Sequence, residues 1–401
     1  MHAVTDADIP VPAAVGEHIA TLRKARDLSQ RVLARKASIS HSLLSKIEVG
    51  DRACRPAVAA ALAEALGVTL SVLYGQPYAE SPGTRQIDQL RSAVRRHRHP
   101  AVADVHPRTL AADVHHASRL RAATDYATLL DVLPPLISRA VAHAHDTREP
   151  GAWQMLVDVY ACAYTIAHRL GYPDLADLVA ARQEWAASQA WVPVAQMAAA
   201  WTEAGTFQSA GDYLEGLAVT DRALTTWAAS GENSVEAVVA AGSLHLRAVT
   251  LAARARDEAT ARHHLVHAKR LAGLLDQSNG DEYRHNLTFG AGNVALHEMA
   301  AQIELEKPKR AVTMADGMVG QPPSGLGPTR VGHLHIDAAR AHLATGDREE
   351  ALRSLFRARE AAPQMARIHP MAREVLRVLV SLHRRSKPEL TRLAKWAGLH
   401  G

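Results

Sequence analysis

Cysteine is almost missing from this chain: among 401 residues only Cys54 and Cys162 occur. Two thiols cannot build a disulfide framework, which excludes a small stapled fold. Aromatic residues make up only 4% of the sequence, with three Phe. There is no run of 18 apolar residues, no signal peptide and no lipidation motif, and the expectation is a cytoplasmic protein without a membrane partner. Catalytic signatures are missing as well. The sequence has no Walker loop and no GxSxG elbow, and His297-Glu298 lacks the second His of a metalloprotease helix. His263, His264 and His267 stand at helical spacing, yet no neighbouring carboxylate or cysteine completes a shell. Neither enzyme activity, metal nor cofactor is expected.

What is present favours helices. The chain is 47% hydrophobic and visibly rich in Ala, which has the best helix propensity and lets helices approach closely. Its length calls for two or more domains. Residues 1–12, with Pro10 and Pro12, read as a flexible arm. Over 13–75 short helical patterns follow one another. Val15, Ile19 and Leu22 share one face; Ser29 caps a second helix; Ser40 caps a third whose Leu44 and Ile47 point inward. Gly50 supplies a left-handed stop, Pro56 opens a fourth helix ended by Gly67, and Val68 to Leu73 form a short fifth.

Five short helices carrying LSQxxLA (Leu28-Ser29-Gln30, then Leu33-Ala34), SxSxxSKIExG (Ser40 to Gly50) and AxALGV (Ala63 to Val68) resemble the Cro/C1-repressor (Xre) family of helix-turn-helix domains. The resemblance covers residues 15–74 and implies binding to double-stranded DNA. Carried over by position, Gln30 would donate to a phosphate, while His41 and Ser42, behind the cap Ser40, would face base edges. Ser45 and Lys46 would follow one turn on, and Leu43 would touch a thymine methyl. Arg52 and Arg55 are expected on phosphates. Arg23 and Glu48 sit where the family commonly has a buried structural ion pair. Residues 1–75 hold nine Lys/Arg against seven Asp/Glu. So small a surplus implies modest affinity from one copy, hence a homodimer on a two-fold operator.

Residues 76–106 read as a linker with one helix from Thr84, carrying Ile87, Leu90 and Val94 and ending in the basic run Arg95 to His99. That run is read as a solvated helix end or a second phosphate contact. From 107 to 368 the sequence repeats. The unit Ala339 to Pro363 has Gly346-Asp347, Ala351, Leu355, Ala358 and Pro363 at the spacing of the tetratricopeptide (TPR) consensus. Aligned on Ala351, the upstream positions are Leu129, Ala176, Gly216, Ala261 and Ala311. The Gly346 position is held by Thr124, Gly171, Gly211, Arg256 and Glu306. About six helix pairs result, with 369–401 as capping helices. The fold class is therefore all-α: a five-helix Cro/C1-type domain followed by a TPR-like α-solenoid.

This layout resembles the Rap/PlcR/Rgg-type peptide-sensing regulators and, through its Ala/Arg bias, the Xre-plus-TPR regulators of actinomycetes. In such arrays the first helix of each pair lines a concave groove. By register the groove candidates are Arg121, His168, Arg169, Trp201 and Gln208, then Arg247, Arg254, Asn293, His297 and Arg340. A set so rich in cations and amides suits an extended peptide or an acidic small molecule. Asn293 is the foremost, since an amide bonds both ways to a peptide unit. The resemblance implies a transcription regulator sensing one of these effectors; the alternatives are a protein–protein adaptor and an antitoxin-like protein with a secondary DNA role.

Overall fold

A computed structural model describes residues 15–68, 70–74, 84–99, 106–276, 280–382 and 387–399. The arm expected at 1–12 lies outside them. The N-terminal unit consists of α1 (Val15–Lys24), α2 (Gln30–Lys36), α3 (His41–Glu48), α4 (Pro56–Leu66) and α5 (Leu70–Leu73). Its core is its own: Ile19, Leu33, Leu44, Ile47, Leu62 and Leu73 have no exposed surface. On α2, Leu33 and Ala34 are buried while Val32 is half-buried. Between α2 and α3 the chain reverses through Ser38, held at φ 53°. α1 crosses α3 so closely that a Cβ on Gly16 would stand 2.1 Å from the Ile47 carbonyl oxygen. Only glycine permits that approach.

α6 (Thr84–Arg95) begins where the sequence places it and ends on the first residue of the basic run. Its stripe, Ile87, Leu90 and Val94, is buried against the solenoid of the same chain, chiefly on α8 (Tyr126–Thr147). Six antiparallel pairs then follow: α7 (Pro107–Ala122) with α8; α9 (Pro150–Arg169) with α10 (Pro173–Ala190); α11 (Pro193–Ala210) with α12 (Tyr213–Ser230); α13 (Val235–Arg254) with α14 (Glu258–Ala272); α15 (Ala291–Glu304) with α16 (Pro308–Val319); and α17 (Pro328–Thr345) with α18 (Arg348–Ala361). Helices α19 (Pro363–Ile368), α20 (Pro370–Leu382) and α21 (Pro388–Trp396) close the end.

The six turns within the pairs are built alike. Thr124, Gly171, Gly211, Arg256, Glu306 and Gly346 all adopt the left-handed conformation, with φ between 61° and 94°. In each, the next residue's N–H reaches back five positions to close the helix, as Asp125 does to Leu120 at 3.0 Å and Asp347 to His342 at 2.9 Å. Asp125, Asp257 and Asp347 then cap the second helix by accepting from the backbone three residues on. At the position aligned on Ala351, a Cβ on Gly216 would lie 3.3 Å from Phe207 of the paired helix α11 and 3.0 Å from Leu251 of the following helix α13.

First helices contact one another in succession, α7 to α9 to α11 to α13 to α15 to α17. Second helices mainly contact their own and the following first helix, so the first helices form the inner layer of a curved TPR-like solenoid. One of them, Val235–Arg254, is long and apolar enough by length and composition to cross a membrane, and most of it is buried in this layer.

Two features differ from the all-α expectation of an open groove. The connection from α14 to α15 carries an antiparallel hairpin, β1 (Glu282–Arg284) with β2 (Leu287–Phe289), turning at His285-Asn286 with both residues at positive φ. That pair of left-handed residues matches the twist of a two-residue hairpin. The second feature is closure. Gln364 of α19 accepts from Tyr126 and Ala127 N–H at the start of α8, and Thr329 of α17 donates to the Ala122 carbonyl of α7. The last pair thus meets the first, and the array encloses an interior.

Candidate nucleic-acid interface and solenoid interior

The reading edge is assembled by caps and a buried carboxylate. Ser29 and Ser40 accept from Val32 and Leu43 N–H, fixing where α2 and α3 begin. Arg23 grips Glu48 with two hydrogen bonds of 2.7 and 2.8 Å and donates a third to the Leu28 carbonyl, tying α1 to α3. Burial would raise the Glu48 carboxyl, but the hydrogen bonds from Arg23 and Gln30 outweigh it and hold it below its ordinary value. Gln30 is engaged here, donating to Glu48 at 2.8 Å, rather than free to reach outward.

With Leu44 and Ile47 turned inward, α3 leaves Ser40, His41, Ser42 and Lys46 exposed; Leu43 and Ser45 are half-buried. Leu43 also packs on the domain core, so part of its surface is not available to a base. Arg52 is exposed. Arg55 instead pairs with Glu306 of the solenoid at 3.0 Å, and Arg256 shares that carboxylate at 3.1 Å. Arg31, Arg35 and Lys36 of α2 are exposed cations that the motif comparison did not single out.

The reader is fastened to the solenoid away from this edge. Cys54 N–H donates to the buried Glu374 of α20 at 2.7 Å, Ser381 donates to Asp51 at 2.6 Å, and Ala60 and Leu70 lie against Gly211. These contacts involve the turn after α3 together with α4 and α5, leaving the front of α3 uncovered.

The solenoid interior gathers most of the predicted groove residues, though few as free ligands. Arg254 and Arg340 converge on Glu304, and Arg340 also pairs with Asp337. Arg247 lies 3.8 Å over the Trp201 ring and donates to Gln208 at 3.0 Å. His168 stacks on Tyr164 and meets Ser209; His297 meets Thr250. Arg169 of α9 reaches His333 of α17 at 2.9 Å, spanning the enclosed space. Arg121 bonds Thr165 and the Asn286 carbonyl, so it holds the hairpin.

Asn293 differs from its sequence reading. It is 2% exposed; its amide donates to the Thr288 carbonyl at 2.6 Å, and its backbone N–H donates to Asp281. The segment from Phe289 to His297 is thus the joint between hairpin and α15. Its glycines are needed there: a Cβ on Gly290 would stand 2.4 Å from the Asp281 carboxylate, and one on Gly242 of α13 would strike the Phe289 ring at 2.1 Å. Tyr283, His285 and Asn286 complete the insertion, bonding Ser118, Asp158 and the Asp158 carbonyl. Among the described residues no group of His, Cys, Asp and Glu suits a metal ion, the His263–His267 cluster included.

Burial first, and then neighbouring arginines, depress the interior imidazoles. His168 and His297 fall to about 3, and His333 and His369 well below the ordinary range. The same causes bring Arg247 and Arg330 down to about 10.

Comparison with known proteins agrees at the N-terminus. No curated protein matches the chain. Among solved structures, BtubC (BKLC) from P. vanneervenii is 16% identical over 69% of this chain and 96% of its own, at a TM-score of 0.40. The PrgX/iCF10 complex is 10% identical over 85% and 94%, at 0.31. PlcR of Bacillus thuringiensis, with the peptide PapR7 and DNA, is 11% identical over 87% and 94%, at 0.28. With all three scores below 0.5, the functional reading rests on the chain's own geometry. The helix-turn-helix domain family matches residues 14–73, and that stretch of the chain is a helix-turn-helix domain.

Proposed function

We propose that this chain is a sequence-specific DNA-binding transcription regulator whose solenoid receives a small effector and whose readers act in pairs. The observation that carries the reading is the exposed front of α3, Ser40-His41-Ser42 with Lys46, held by two serine caps and the Arg23–Glu48 pair. A helix so presented fits the major groove, where His41 and Ser42 meet base edges and the cations Arg31, Arg35, Lys36 and Arg52 lie toward phosphates. Arg55 joins them only when it leaves Glu306. One copy carries little excess charge, so a homodimer on a two-fold operator supplies the missing affinity. Such work belongs in the cytoplasm and needs no catalytic group.

The test is a mobility-shift titration of the purified chain on the DNA upstream of its own gene. Sequence-dependent binding that weakens with salt is expected. Replacing His41, Ser42 and Lys46 together should abolish the specific shift with helicity intact. Absence of any sequence preference in the unaltered chain overturns the reading.

A further inference from the structure

Four half-buried arginines of the inner layer, Arg121, Arg169, Arg247 and Arg330, have no carboxylate partner among the described residues. Their polar contacts are neutral: Thr165, Tyr283 and a carbonyl for Arg121; His333 and Tyr126 for Arg169; Gln208 for Arg247. Nε of Arg247 is buried with no acceptor. The guanidinium of Arg330 makes no hydrogen bond or ion pair with any described residue. The acids nearby are committed elsewhere, Glu304 and Asp337 to Arg254 and Arg340, and Asp281 to the Gly292 and Asn293 N–H groups.

Guanidiniums gathered without a carboxylate in hydrogen-bond contact repel one another, a cost that a bound anion would relieve. Arginine's planar fork binds phosphate and carboxylate oxygens in pairs. Two observations separate these ligands. An extended peptide needs amide partners along an open groove, yet Asn286, Asn293 and Gln208 already bond to the protein. The array also closes through Gln364 and Thr329, and the hairpin enters its interior. The chemistry favours a compact ligand with several oxygens and high negative charge.

We propose that the solenoid interior binds a small phosphate-bearing polyanion, held between Arg121, Arg169, Arg247 and Arg330. The proposal rests on the reading of the solenoid as the receiving part, and narrows its effector to this class.

Inorganic pyrophosphate serves as the probe, with an acidic hexapeptide and sulfate at matched ionic strength as controls, on the full chain. Calorimetry should show saturable pyrophosphate binding, and Tm should rise by several degrees at a hundredfold excess over Kd. Arg330→Gln should weaken binding at least about tenfold, and Arg330→Lys by less. Without ligand, Arg330→Gln should raise Tm, because it removes a repelled charge; a merely structural arginine would lower it. Hexapeptide binding in preference to pyrophosphate overturns the proposal, as does a lowered Tm in ligand-free Arg330→Gln. Equal stabilisation by sulfate means general ionic screening only and overturns it as well. The DNA shift is recorded in the same samples. Pyrophosphate binding without any effect on DNA affinity leaves the anion site standing and removes the effector role, whereas an intact DNA shift without pyrophosphate binding removes the site alone.

Discussion

At the scale of single residues, the reading domain depends on one carboxylate and one missing side chain. The Arg23 and Glu48 side chains are 12% and 4% exposed, so Glu48→Ala strands a buried guanidinium and also releases Gln30. A loss of about 3–5 kcal/mol is expected from the domain's stability, read from urea titrations of the full chain followed by hydrogen exchange within α1 and α3. Gly16→Ala should cost about 1–3 kcal/mol by the same measurement, because the new methyl overlaps the Ile47 carbonyl. An unchanged exchange pattern in either variant would mean that α1 and α3 do not meet as described. The motif SxSxxSKIExG made the caps and the pair readable, because caps depend on neighbours in sequence. That Gln30 turns to Glu48 was not readable, since an exposed amide and a bonded one look the same in a motif.

Among the elements, the six turns were legible because each needs one left-handed residue followed by a cap. The alignment survives even where Thr124, Arg256 and Glu306 replace glycine. The hairpin was not legible. His285-Asn286 is a weak turn signal, and three-residue strands leave no alternation to detect. It showed only as the longest interval, 50 residues between Ala261 and Ala311. Phe289 anchors it on Gly242, so Phe289→Ala should cost about 3–5 kcal/mol and expose 280–290 to limited proteolysis. A segment as resistant as before would show that Asp281 and Arg121 hold it without the ring. At the turns, Asp347→Ala should lower stability by about 1 kcal/mol through loss of its cap to Glu350 N–H.

Across the whole molecule, reader and solenoid are joined through buried polar groups, and the interior is charged. Glu374→Leu removes the acceptor of the Cys54 N–H and the carboxylate paired with Arg377, and breaking that buried pair costs about 3–5 kcal/mol. Exchange at residues 50–60 should quicken at least about tenfold while the α3 amides stay protected. The interior histidines set the response to acid. Because their folded pKa lies below the unfolded value near 6.5, the unfolded chain binds more protons as pH falls. Their contribution is complete above about pH 6.5 and is lost toward pH 3, at up to about 1.4 kcal/mol per pH unit for each imidazole. Tm should therefore fall steadily between pH 7 and pH 5; a flat profile would place these rings in water.

The sequence by itself determined the local elements: the capped helices of the reader, the left-handed turns, and the pairing of long helices around small residues. Each of these follows from interactions within a few positions of chain. The tertiary structure alone decided what those elements face. Closure of the last pair on the first, entry of the hairpin, and the pairing of Arg55 with Glu306 join groups more than 150 residues apart. A repeat pattern states which face of a helix points inward, while the charges that meet there depend on how far the array curves.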